Sequence, residues 1–375
     1  FNHTNGQYGL AHAAHNFHCR PGVKSLPNLL SKAGYRTAIV GKHHVNPPEA
    51  FAFQEQLRFQ GGSRNVDAMA DAARGLFAGS SDRPFFLLVG FHDPHRDAKG
   101  FGNSVSRPAG TVAEYQPEEI AVPPWLPDTP EVRRELAEFY QSISRMDRGV
   151  SLIVDALKDT GHENDTLVIY VSDNGPPFPG AKTTLYDPGI HLPLIIASPG
   201  QSRRGITSQA MVSFVDIAPT ILEFAGVAPS KEVARRSLLP IIDEENPAGR
   251  DIVFASHNFH QVTMYYPMRM IRTRQYKYIL NLAHCLEYPL ASDLWGSRTW
   301  QGILSSGGKR YGQRTTAALL HRPREELYDL RKDPDEVHNL AGDPGHADTL
   351  ARFRAELQKW QEDTADPWLI KYTHE

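Results

Sequence analysis

Cysteine is nearly absent: Cys19 and Cys285 are the two in 375 residues. Thiols so far apart form no C-x-x-C metal pair, and two of them cannot staple a small fold. Nothing in the sequence supports a disulfide between them. Long hydrophobic runs are missing too. The longest, 85–91 (FFLLVGF), is far short of the roughly 20 residues that a membrane span needs. An excess of charge is also lacking. Lys plus Arg number 40 and Asp plus Glu 43, a formal charge of -3, so no global basic field holds nucleic acid or an anionic surface. No internal repeat occurs. A local basic cluster, Arg269, Arg272, Arg274 and Lys277, reads as a solvated strand face.

What is present is an ordinary globular composition, 40% hydrophobic and 22% charged. The length suits one large domain with a smaller one attached. Segment 25–33 (SLPNLLSKA) reads as a helix capped by Ser25 and stopped by Gly34. Strand-like runs follow at 35–40 (YRTAIV), 85–91, 167–171 (LVIYV) and 192–197. The second and third are continuous and apolar, as expected of strands buried on both faces. Apolar residues at helical spacing mark 131–158, and 216–224 reads as a further helix. Such alternation predicts an α/β domain with a mostly parallel sheet. After about Gly249 the pattern changes to antiparallel strands at 252–256, 267–273, 275–280 and 327–330, with a closing helix at 347–363. The expected division is 1–245 and a smaller α+β unit, 246–375, joined at 243–249 (DEENPAG). Segment 292–316 is polar, Gly-rich and expected to be loop.

Three of the strands run straight into ionisable clusters: Lys42 and His44, His92 to His95, and Asp173 with Asn174. In an open parallel sheet the carboxyl ends of the strands open onto one crevice. The three clusters should therefore converge, although each alone has a plainer reading. Asp173-Asn174-Gly175 also fits a turn, the His92–His95 run a helix cap, and Lys42 a surface lysine. Together, Lys, His and oxygen donors suit an anion beside a hard cation.

These residues resemble the sulfatase family across nearly the whole chain. Gly41-Lys42-His43-His44-Val45 resembles its Gly-Lys-x-His segment, and Ser172-Asp173-Asn174-Gly175 its metal-binding Asp-Asn. Segments 326–330 (ELYDL) and 336–340 (EVHNL), with Asp333-Pro334, resemble its C-terminal signature. Within the family, the sulfamidases are most similar, through 91–96 (FHDPHR), 173–179 (DNGPPFP), 262–269 (VTMYYPMR) and Asp366-Pro367-Trp368.

The resemblance implies an alkaline-phosphatase-like sulfatase fold and a formylglycine nucleophile made from a C/S-x-P-x-R motif, with one Ca²⁺. It implies sulfate contacts by Lys42, His44 and Lys182, and leaving-group protonation by His95. It further implies metal ligation by Asp173 and Asn174, and sugar contacts by Asp93 and His260. Sulfamidases tend to carry Arg where Lys182 stands, and Lys lacks the bidentate fork. Segment 1–6 (FNHTNG) resembles the stretch just after the nucleophile helix, so the nucleophile and two further Asp ligands are expected upstream of Phe1, and the chain alone is expected to be inactive. The implied substrate is N-sulfated glucosamine of heparan-type glycans, with no nucleic acid partner and no membrane span. A homodimer stays open, and the implied location is exported or lysosomal. The alternatives are an O-sulfatase of a glycan or small ester, a phosphatase or phosphonate hydrolase, and a non-catalytic carbohydrate-binding relative.

Overall fold

A computed structural model describes residues 1–79, 82–98, 100–103, 114–228 and 236–369. The chain begins with α1 (Asn2–Asn5), α2 (Leu26–Lys32), β1 (Arg36–Gly41), β2 (Glu55–Leu57), α3 (Val66–Ala78) and β3 (Phe85–Gly90). It continues through α4 (Pro130–Asp159), β4 (Val168–Val171), α5 (Asp187–Ile190), β5 (Leu194–Ala197) and α6 (Ile217–Phe224). The last third holds β6 (Ile252–Phe259), β7 (Tyr265–Thr273), β8 (Tyr276–Asn281), α7 (Ser292–Trp295) and α8 (Arg298–Ser305). β9 (Arg310–Tyr311), β10 (Arg314–Thr315), α9 (Thr316–Leu320), β11 (Glu325–Asp329) and α10 (Ala347–Asp363) complete it.

β1 is the centre of a parallel sheet ordered β2-β1-β3. Ala38 of β1 shares a core with Ala73, Leu76 and Phe77 of α3 and Ala156 and Leu157 of α4. Fully burying a Leu or Phe side chain contributes about 1.5–3 kcal/mol. α4 starts where Thr129 accepts a hydrogen bond from the Val132 amide at 3.3 Å, with Pro130 in the first turn, where its missing N–H costs nothing. The other end of its apolar stripe, Val132, Leu136 and Phe139, packs with Trp300 and Ile303 of α8.

Several expectations need correction. β5 pairs with β4 antiparallel, so the fourth strand is no part of a parallel array. Burial on both faces is not met either: Leu88 is 44% and Val171 37% exposed. β3 is the last strand of its sheet and β4 pairs with β5 alone among the described residues, so both lack the neighbours of a sheet interior. Segment 292–316 is not loop, because it contains α7, α8 and the β9–β10 ladder. The apolar residues that build α8, Trp300 and Ile303, are too few to show a period in so short a stretch. Both cysteines are free.

The basic cluster is not a solvated face except at Arg274, which is exposed. Arg269 and Lys277 are fully buried. Arg269 is paired with Asp366, and Lys277 with Asp187 and Glu336, at 2.5–2.7 Å. Arg272 also meets Asp187, at 2.8 Å. Buried charge is tolerable only when paired and hydrogen-bonded.

The C-terminal sheet is antiparallel throughout, ordered β11-β8-β7-β6. Leu350, Phe353, Leu357 and Trp360 of α10 cover one face. Leu185 and Tyr186, from before residue 245, join the core on the other face. Phe1 meets the Trp360 ring edge-on at 5.0 Å. The C-terminal signature is structural: Tyr186 and Tyr328 donate to Glu326 at 2.8 and 2.5 Å, and Asn281 donates to its second oxygen at 2.6 Å.

Candidate active site

The ends of β1 and β3 lie side by side, Gly41 opposite Gly90. Both must be glycine. A Cβ on Gly41 (φ 88°) would lie 2.2 Å from the Gly90 carbonyl oxygen, and one on Gly90 2.4 Å from that of Lys42. The Lys42 amide donates to the Gly90 carbonyl at 2.7 Å, so the ladder runs on into the site. Lys42 and the His92–His95 segment therefore leave one edge together. Asp173 and Asn174 follow β4, where Gly175 is pressed against the Pro188 carbonyl.

Burial and charge shift the ionisable groups around these strand ends. Lys42 is held below the ordinary lysine value by burial, opposed by Asp173 and reinforced by Lys182. His95 is driven down to about 3, first by burial and then by Lys182 and Lys42. His260 also falls to about 3, from burial and Lys182. His44 falls to about 4, from burial, then Lys42 and His12. Lys42, His95, Lys182 and His260 thus act on one another through charge, and Asp173 acts on Lys42. His95 carries a buried Nδ1 with no hydrogen-bond partner. Lys182 is 5% exposed. Beside it Thr183 adopts φ 69°, a conformation that costs a β-branched residue on the order of 1–3 kcal/mol. Tyr288 donates to the Thr183 carbonyl at 2.7 Å and holds it there.

Asp93 does not face the pocket. Its oxygens accept from Arg145 Nε and Nη2, both at 2.7 Å, and from Arg64. Its side chain is 1% exposed. The expected sugar contact thus finds no open oxygen. Instead Asp93 and Arg64, which also donates to the His95 carbonyl at 2.9 Å, brace the His95 segment. Arg96 does the same from the other side: it pairs with Glu135 of α4 and donates to the Pro177 carbonyl at 2.9 Å.

Asp173 is exposed, and Asn174 donates its amide to the Gly175 carbonyl at 2.7 Å, which leaves its oxygen free. Two adjacent oxygen donors fit a hard cation, but Ca²⁺ takes 6–8. No cluster of three or more His, Cys, Asp or Glu suited to a metal occurs among the described residues.

Sequence reasoning missed three residues. His12 lies against His44 with ring centroids 4.3 Å apart, and His15 lies 5.9 Å from His12. Their H-x-x-H spacing was visible, but no strand placed it. Asp293 pairs with Lys182 at 2.6 Å, and no signal marked it in a stretch expected to be loop.

Ammonium groups and imidazoles are the donor types that a small oxyanion takes. The family described as Sulfatase matches residues 5–227, and that described as N-sulphoglucosamine sulphohydrolase, C-terminal, matches 181–293. Human N-sulphoglucosamine sulphohydrolase is 40% identical over 399 residues, spanning 98% of this chain and 79% of that protein. An ulvan-active sulfatase of Formosa agariphila is 28% identical over 75% of this chain and 52% of its own length. In fold, a 2-O GAG sulfatase superposes with TM-score 0.69 at 20% identity, covering 98% of this chain and 80% of that one. A protein solved with its substrate D-glucosamine-2-N,6-O-disulfate gives 0.68 at 19%, covering 98% and 86%. With a family match over more than half its length, on an α/β scaffold, and a relative 40% identical over nearly all of it, the chain belongs to the sulfatase family.

Proposed function

We propose that this protein hydrolyses the N-linked sulfate of glucosamine residues in heparan-type glycans. The observation that carries this reading is the 40% identity, over 98% of the chain, to a relative named for that reaction. The pocket is chemically apt. Lys42 and Lys182 neutralise the sulfate oxygens, and His44 binds at the rim. His95 protonates the departing nitrogen. Unliganded, it is neutral at physiological pH, with burial and two ammonium groups holding it near 3. An arriving anion offsets those charges and raises its proton affinity. His260 borders the sugar. No C/S-x-P-x-R motif occurs in residues 1–375, so the formylglycine of this reading is not made from any of them. No helix among the described residues is long and apolar enough to cross a membrane. An exported or lysosomal setting suits a glycan substrate.

Asp173 and Asn174 would supply two of the oxygens around one Ca²⁺, which when bound withdraws charge from the sulfate and the nucleophile. The gene product should therefore carry one Ca²⁺ per chain by elemental analysis, and Asp173→Ala should lose most of it. Full retention in that variant would remove Asp173 from the ligand set.

The substrate is tested by kcat/KM on N-sulfated glucosamine, 6-O-sulfated glucosamine and an aryl sulfate. Preference for the first by at least about tenfold, roughly 1.4 kcal/mol, is expected. Lys182, where sulfamidases tend to carry Arg, favours a second reading as an O-sulfatase. A clear preference for the O-sulfate would establish that one instead.

A further inference from the structure

We propose that Asp293 recognises the amino nitrogen of the glucosamine unit and thereby selects N-sulfate over O-sulfate; this rests on the sulfamate-hydrolase reading above. A carboxylate inside a sulfate receptor is out of place, because it repels the anion that the pocket collects. Yet Asp293 is built in firmly. Its Oδ2 lies 2.6 Å from Lys182 Nζ, and its side chain is 15% exposed. The neighbouring Ser292 makes two hydrogen bonds with Gln261: Gln261 Nε2 donates to Ser292 Oγ at 2.6 Å, and the Ser292 amide donates to Gln261 Oε1 at 3.1 Å. Ala291 and Leu294 pack with Met264 in a small core on the same side. The β6–β7 connection that carries His260 is thus clipped to the turn that carries Asp293. Burial works to raise the Asp293 carboxyl, but the Lys182 ammonium group outweighs it and keeps the carboxylate ionised. It therefore sits in direct contact with Lys182, a group assigned to sulfate, on the turn clipped to the connection that carries His260.

The reaction supplies a reason for a negative charge there. Overall, R–NH–SO₃⁻ and water give R–NH₃⁺ and SO₄²⁻. As the S–N bond breaks, nitrogen keeps the bonding pair, takes up the two protons that water supplies in the overall reaction and ends as an ammonium group. An O-sulfate releases a neutral alcohol instead, which gains nothing comparable from a carboxylate. Asp293 thus costs some sulfate affinity and recovers more as charge develops on nitrogen, the arrangement that favours a transition state over a ground state.

The test uses calorimetric binding to the full gene product and needs no turnover. The probes are methyl glucosaminide, its N-acetyl counterpart and inorganic sulfate. The native protein should bind the free amine at least tenfold more tightly than the acetamide at pH 7. Asp293→Asn should abolish that preference while sulfate binds as well or better, and Asp293→Glu should keep it. A merely structural role would weaken amine and sulfate together. Retention of the amine preference in Asp293→Asn, or its absence in the native protein, overturns the assignment. If turnover still favours N-sulfate in that event, the proposed function stands without Asp293.

Discussion

Replacing His95 by Ala should lower kcat/KM for N-sulfated glucosamine by about 10²–10⁴-fold, the usual contribution of a positioned general acid. An amine anion is a very poor leaving group, so the nitrogen must be protonated. An activated phenol leaves without help. The same variant should therefore lose far less on an aryl sulfate, and equal losses on both would assign His95 to holding the sulfate. The pH dependence adds a signed test. In the free protein, burial, Lys182 and Lys42 hold His95 near 3, so the acid form is lost early as pH rises. Bound substrate brings negative charge and raises that value. The descending limb of kcat should therefore lie at higher pH than that of kcat/KM, and His95→Ala should erase the difference. Coincident limbs in the native protein would mean that the bound anion does not act on His95.

Asp366→Ala should destabilise the fold by about 3–5 kcal/mol, the cost of stranding a buried partner charge. Arg269 and Asp366 are both 0% exposed and form two hydrogen bonds, at 2.5 and 2.9 Å. Asp366 also accepts from Gln361 at 3.1 Å and from the Trp368 amide at 3.1 Å. The Arg269 guanidinium lies 5.1 Å from the centre of the Trp368 ring. Removing the carboxylate leaves a buried guanidinium charge on β7 without its counterion. The midpoint of thermal unfolding should fall on the order of 5–10 °C. Replacing Arg269 by Met and Asp366 by Leu together should recover much of that loss, since neither charge is then stranded. A fall of less than 2 °C in the single variant would show that Arg269 finds another partner. The sulfamidase-like Asp366-Pro367-Trp368 segment thus closes the C-terminal unit and does not belong to the pocket.

These two cases mark how much was legible in advance. β1, β3, α4 and α10 follow from local patterns, because period 2, period 3.6 and capping residues act over a few neighbours. The meeting of Lys42 with the His92–His95 segment was also legible, since adjacent parallel strands must end on the same side. Partner choice was not legible. Nothing local distinguishes an Asp93 that lines a pocket from one clamped by Arg64 and Arg145, the latter 52 positions away. Nor does any local pattern separate a solvated Arg269 from one buried against an Asp 97 positions on. Asp293 reaches Lys182 across 111 residues. The amino-acid sequence by itself determined the longer elements, the strand-end clusters and the family resemblance. Tertiary structure alone decided which charges are paired away and which stay open, because charge pairing depends on distance and burial in space and leaves no period along the chain.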